Sequence, residues 1–99
     1  MAKPVVTPGK STLRLRLYIA GMAPNSVRAI ANTKAICAQH FSNHELEVVD
    51  LMLHPERAAG DRIIVTPTLI KLSPEPQQRL IGDLSDAAKL LAALGGGSQ

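Results

Sequence analysis

The seven residues Leu13-Arg14-Leu15-Arg16-Leu17-Tyr18-Ile19 alternate between aliphatic side chains and Arg or Tyr. Only an extended strand satisfies this period of two, by placing all four aliphatics on one face. Such a strand needs an apolar layer over Leu13, Leu15, Leu17 and Ile19, and the next segment supplies one. Gly21, Pro24 and Asn25 punctuate the chain, and Asn25 or Ser26 can cap the free amides of a helix. Val27, Ile30, Lys34, Cys37 and Phe41 then fall at three- and four-residue steps. That spacing predicts a helix of about four turns, ending near His40 or Phe41, with an apolar face interrupted only by Lys34. Leu46 to Leu51 reads as a second strand, so the first three elements make a βαβ unit with a parallel pair.

The second half is built differently. His54 to Gly60 reads as one or two helical turns with Pro55 in the first turn and Gly60 beyond the end. Thr66-Pro67-Thr68 opens a strand that runs to Leu72, Ser73 to Pro76 is a turn, and Arg79 to Gly82 is a short strand placed as its hairpin partner. Ser85 is the expected cap of a last helix, Asp86 to Leu94, rich in Ala and Leu and stopped by Gly95 to Gly97. Residues 1–12 read as a loose arm, 13–94 as the domain and 95–99 as a Gly-rich tail. A parallel βαβ followed by a ββα whose first strand opens on a proline is the thioredoxin-like arrangement, βαβαββα.

Composition narrows the function. The chain has 99 residues, room for one core but not for separate cofactor and substrate domains. Aromatic residues are 2%, Tyr18 and Phe41, which leaves almost nothing for a base-stacking surface, and a net charge of +3 is far from a basic stripe. No nucleic-acid partner is expected. No apolar run approaches the length of a membrane span or a signal peptide, and the expectation is a cytoplasmic protein with no membrane partner.

The chemistry-bearing residues point away from catalysis. Redox members of the thioredoxin-like fold carry Cys-x-x-Cys at the first strand–helix junction, where the helix N-terminus lowers a thiol pKa. Here the junction is Met22-Ala23-Pro24-Asn25, so dithiol exchange has no nucleophile. The one cysteine, Cys37, falls on the apolar helix face and reads as a small buried hydrophobe. Cys37, His40 and His44 have a weakly specific metal spacing without a fourth ligand, and solvated histidines at a helix end explain them better. Asp50, Asp83 and Asp86 sit where turns and caps use acids. No enzyme, metal or cofactor is implied.

Together, Leu17-Tyr18-Ile19-Ala20-Gly21, Pro24-Asn25-Ser26-Val27-Arg28-Ala29, Val48-Val49-Asp50-Leu51, His54-Pro55, Thr66-Pro67-Thr68-Leu69 with Lys71, Pro74, Pro76, and Ile81-Gly82-Asp83-Leu84-Ser85 resemble the KaiB family of bacterial clock proteins, from about Leu13 to Leu94. The sensory domain of the clock kinase SasA is the next nearest pattern. The alternatives are such a sensor domain, a stress-related KaiB homologue and a redox-inactive thioredoxin relative.

The resemblance implies a non-enzymatic regulator that binds the KaiC ATPase ring and modulates its phosphorylation cycle. It also implies a metamorphic chain: a ground state of order βαββααβ, a homo-oligomer (dimer or tetramer), exchanging with a thioredoxin-like monomer that a partner selects. The alanines of the last segment favour helix over strand and so tilt this chain toward the thioredoxin-like state. The family's contact region implies Glu56, Arg57, Arg62 and Arg28 as partner-binding residues, with a solvated charged face as the alternative. Pro67, Gly82 and Asp83 are assigned to the fold switch or its turns. The family's acidic tail is replaced by Gly95-Gly96-Gly97-Ser98-Gln99, and Glu45 and Glu47 stand on the second strand where cyanobacterial members tend to be basic. A system without KaiA is expected.

Overall fold

The computed structural model describes residues 12–95; the expectations for the arm, 1–12, and the tail, 95–99, fall almost entirely outside them. Seven elements follow one another: β1 (Leu13–Ile19), α1 (Pro24–His40), β2 (His44–Asp50), α2 (Arg57–Gly60), β3 (Thr68–Ser73), β4 (Gln78–Ile81) and α3 (Ala87–Leu94). The order is βαβαββα. One sheet carries the strands as β2-β1-β3-β4, with β1 and β2 parallel and the other neighbours antiparallel. β2 is therefore an edge strand. β3 begins at Thr68 and not at Thr66, since Pro67 has no amide to give to a ladder. The Thr66–Pro67 bond is cis.

Alternation on β1 divides the core as the sequence requires. Leu13, Leu15, Leu17 and Ile19 join Leu69, Leu84, Ala29, Ile36 and Cys37 of α1, and Leu90 and Leu94 of α3 in the larger cluster. On the other face Tyr18, Val49 and Ile70 pack with Leu51, Ile63 and Leu72, residues drawn partly from the chain on either side of α2. The first face is thus covered by two helices and the second by a short helix and its loops.

The buried stripe of α1 differs from the one expected. Ser26, Ala29, Thr33, Ile36 and Cys37 face the sheet, whereas Val27 is 44% exposed and Lys34 is in solvent. Of the expected face, Cys37 is buried and Ile30 and Phe41 pack partly against the cluster, while at the other two positions the buried residue is the preceding one, Ser26 for Val27 and Thr33 for Lys34. Most of the seam is made of small side chains, Ser26, Ala29, Thr33 and Cys37, with Ile36 beside them. The helix also starts at Pro24 with Ala23 as its cap residue and no side-chain cap, so neither Asn25 nor Ser26 serves there. At α3 the cap moves from Ser85 to Asp86, whose Oδ1 accepts from the Lys89 amide at 3.1 Å. Gly95, with φ at +96°, ends that helix in the left-handed region.

α2 ends by a device the sequence did not suggest. Gly60 is its last residue, and the left-handed position falls two residues later on Arg62, with φ at +54°. The Arg62 amide donates to the Ala59 carbonyl at 3.3 Å and the Ile63 amide to the Ala58 carbonyl at 2.9 Å, the pair of bonds of a Schellman ending. This reversal turns Ile63 into the second core cluster.

The seam of α1 can be tested by paired substitutions. Leu17→Ala is expected to cost about 2–5 kcal/mol and Ala29→Leu about 1–3 kcal/mol, by urea unfolding. Val27→Ala should stay within about 0.5 kcal/mol of the parent. A large loss at Val27 would restore the seam that periodicity suggested.

Candidate functional site

The seven residues singled out from the sequence fall into two groups. Arg28, Pro67, Gly82 and Asp83 come together where β4 leaves the sheet. The Gly82 amide donates to the Pro67 carbonyl at 3.0 Å, with Gly82 at φ +113°, a conformation that a side chain would strain. Asp83 is the hub of the turn: Oδ1 accepts from the Ser85 amide at 3.1 Å, Oδ2 from Arg28 Nε at 3.3 Å, and its carbonyl from Asn32 Nδ2 at 2.9 Å. These bonds, with the Ser85 ones foremost, hold the Asp83 carboxyl below its ordinary value. Arg28 also donates to the Asn25 side chain. The turn into α3 is in this way tied to the first turns of α1.

Glu56, Arg57 and Arg62 lie on the segment covering the second sheet face. Glu56 is exposed, with His54 Nδ1 at 3.8 Å. Arg57 donates to Glu47 Oε2 at 3.1 Å. The Arg62 side chain is exposed and has no partner among the described residues.

Between Arg57 and the sheet runs a network that sequence reasoning missed. Arg16 Nε donates to Glu47 Oε1 at 2.8 Å and Arg16 Nη1 to Asp61 Oδ2 at 3.1 Å. The Tyr18 hydroxyl donates to the same Asp61 oxygen at 2.5 Å, and Arg79 Nη2 reaches the Asp61 carbonyl at 2.8 Å. Arg16 and Glu47 are direct neighbours in the parallel register of β1 and β2. Their alternation had placed each on its strand, but nothing in the sequence announced that Asp61 would fold over both. The Tyr18 hydroxyl, then Arg16, hold the Asp61 carboxyl below its usual range, and Arg16, then Arg57, do the same for Glu47. Glu47 in turn raises Arg16, while burial, then Asp61, raises the Tyr18 phenol. Glu45 is also engaged, 3.6 Å from Arg14, so both glutamates of β2 are paired with arginines of β1.

The remaining candidates do not converge. Cys37 is fully buried in the larger cluster and burial pushes its thiol up, away from a nucleophile. His40 is exposed, and His44 Nδ1 lies 2.7 Å from the Phe41 carbonyl. No group of three metal-ligating side chains forms among the described residues. Met22 and Ala23 occupy the strand–helix junction, with Met22 in solvent. No helix among the described residues is long and apolar enough to cross a membrane.

The Asp61 network gives a pH signature. A carboxyl held below its unfolded value contributes in full above that value and loses its contribution as pH falls through the depressed folded one. Stability should therefore decline on acidification below about pH 4.5, the ordinary carboxylate range. Asp61→Asn should remove part of that decline and cost about 2 kcal/mol at pH 7, measured by urea unfolding at both pH values. An unchanged acid limb in Asp61→Asn would take the clamp out of the account.

Residues 16–95 match the model of the KaiB domain. A circadian clock oscillator protein KaiB from Trichodesmium erythraeum is 46% identical over 90 residues, covering 90% of this chain and 86% of that protein. KaiB1 from Synechocystis sp. PCC 6803 is 46% identical over the same shares. Among solved structures, the N-terminal domain of Synechococcus elongatus SasA is similar over 100% of this chain and 95% of its own, with TM-score 0.72 and 26% identity. Chloroplastic thioredoxin z, at TM-score 0.70 and 16% identity over 89% of this chain and 80% of its own, shares the fold alone. A thioredoxin-like fold without a dithiol, matched across nearly all of its length by these clock proteins, places the chain in the KaiB family.

Proposed function

We propose that this chain is a non-enzymatic regulator that binds a KaiC-type ATPase ring and modulates the ring's phosphorylation and ATPase cycle in the cytoplasm, residues 13–94 being the working domain. The observation that carries the reading is the family match over residues 16–95 on a fold whose redox junction is Met22-Ala23-Pro24-Asn25. With no thiol there and Cys37 buried, surface recognition is what the fold has left to offer.

The contact surface is assigned to the α2 segment, with Glu56, Arg57 and Arg62, and secondarily to Arg28. Arg62 is the strongest of these: its guanidinium is exposed and without a partner among the described residues, whereas Arg57 and Arg28 already hold Glu47 and Asp83. Binding selects the thioredoxin-like packing from an exchange with a βαββααβ homo-oligomer, in which Pro67, Gly82 and Asp83 are the positions that both packings must accommodate. Helix over Ala87–Leu94 supports the thioredoxin-like packing as the binding state. KaiA is not recruited, because Glu45 and Glu47 keep the edge strand acidic and tied to Arg14 and Arg16.

Size-exclusion chromatography of the chain with a KaiC hexamer and ATP tests the reading. The parent chain should co-elute with the ring. Arg62→Asn, which removes the charge with a residue that tolerates the left-handed backbone, should weaken the complex about tenfold without loss of fold, a change of about 1.4 kcal/mol. A parent chain that elutes alone would sink the proposal, and full binding by Arg62→Asn would remove Arg62 from the contact.

A further inference from the structure

β4 is the sheet's other edge strand, and its pairing shows which of its backbone groups are open. Gln78, Arg79, Leu80 and Ile81 stand opposite Lys71, Ile70, Leu69 and Thr68, and the Gly82 amide, donating to the Pro67 carbonyl, carries the same register one step further. In an antiparallel ladder, opposed pairs that exchange hydrogen bonds alternate with pairs that do not. Gly82, Leu80 and Gln78 therefore turn their backbone groups to β3. Arg79 and Ile81 turn theirs outward, where their amides have no acceptor among the described residues. Two outward residues suffice to receive a short added strand.

A cavity lies against this edge, between the end of β4 and the first turns of α3. Its volume is about 140 Å³, comparable to cavities that accept a benzene-sized group. Leu80, Leu84 and Leu90 are its apolar lining, the last two buried. The shape is held from both sides: Asp83 fixes the turn through Ser85 and Arg28, and Asp86 caps α3 through the Lys89 amide. Leu84 sits at φ +63°, a backbone that a leucine keeps only where its surroundings impose it, and such positions gather at ligand clamps. Of the charged residues lining the cavity, Asp83 and Asp86 are thus engaged, whereas Lys89 is exposed and has no counter-charge among the described residues. A second copy pairing through its own β4 would bring Gln78–Ile81, which contains no carboxylate to meet it. We infer that the groove between β4 and α3 takes an extended segment of a partner protein as a fifth strand, with an aliphatic side chain beside Leu80 in the cavity and a carboxylate two residues away, on the same face, at Lys89. The groove uses no residue of α2 or β2, and the inference does not depend on the ring being that partner.

A 15N-NMR titration of the full chain with the blocked pentapeptide Glu-Thr-Leu-Thr-Glu, which presents the same pattern in either strand direction, tests it. Amide shifts should centre on residues 78–82 and 84–90. Glu-Thr-Ser-Thr-Glu, which leaves the cavity empty, should bind about tenfold more weakly. Lys89→Glu, at an exposed position of α3, should weaken the parent peptide about threefold, as expected for a surface ion pair. Ile81→Pro removes an outward amide without costing a bond to β3, and should weaken it about fivefold. Methylating both threonine amides of the peptide should do the same with the chain itself unchanged. Shifts centred elsewhere, equal binding of the leucine and serine peptides, full binding by the methylated peptide, or no shift at millimolar peptide would overturn the proposal. So would a dimer in sedimentation velocity that Ile81→Pro dissolves, since the occupant would then be a second copy of the chain.

Discussion

Burial of β1 on both faces is the constraint from which the remaining structure follows. As an inner strand it is paired along both edges, and its alternate residues need cover on two sides. The two covers are unlike in kind. Over Leu13, Leu15, Leu17 and Ile19 lie two helices whose contact is mostly apolar and brings no charged group, with Ser26 and Thr33 as its buried polar residues. Over Arg16 and Tyr18 lies a four-residue helix whose attachment combines a small apolar cluster with the carboxylates of Asp61 and Glu47. The second cover depends on ionised groups in defined geometry, and every donor is on a side chain of the sheet or of the segment itself.

This asymmetry divides the chain into halves of different robustness. β1, α1 and β2 carry local contacts around a leucine row. The second half is attached by a clamp, a Schellman ending with Arg62 in place of glycine, and a turn hung on Asp83. A non-glycine residue in the left-handed region costs about 1–2 kcal/mol, in a domain whose whole margin is on the order of 5–15 kcal/mol. Those features are compatible with the exchange of packings proposed for the second half, and they put the residues that would feel it, Arg62, Gly82 and Asp83, at its joints.

Much of the fold was legible in the sequence where one periodicity ruled. The alternation of β1 fixed its inward and outward sets, and the residue before and after Pro67 marked the start of β3 within two positions. α1 was legible as a helix and in the facing of Ile30, Cys37 and Phe41, but Ser26, Ala29 and Thr33 went unseen because they carry little hydrophobic signal and pack by being small. Of the site, Arg28, Asp83 and Gly82 are brought together as a turn, a grouping that spacing could not reveal across more than fifty residues. The Asp61 clamp was hidden for the same reason: Arg16 and Glu47 needed the parallel register and Asp61 needed the reversal after α2.

The central claim is that the thioredoxin-like packing, with the last segment helical, is the state in which this KaiB-family chain engages its partner. Backbone chemical shifts of residues 87–94, recorded on isotope-labelled chain bound to an unlabelled KaiC ring, test it most directly. The account predicts helical carbon shifts across Ala87–Leu94 in the complex. Extended-strand shifts for the same residues in the complex would contradict it.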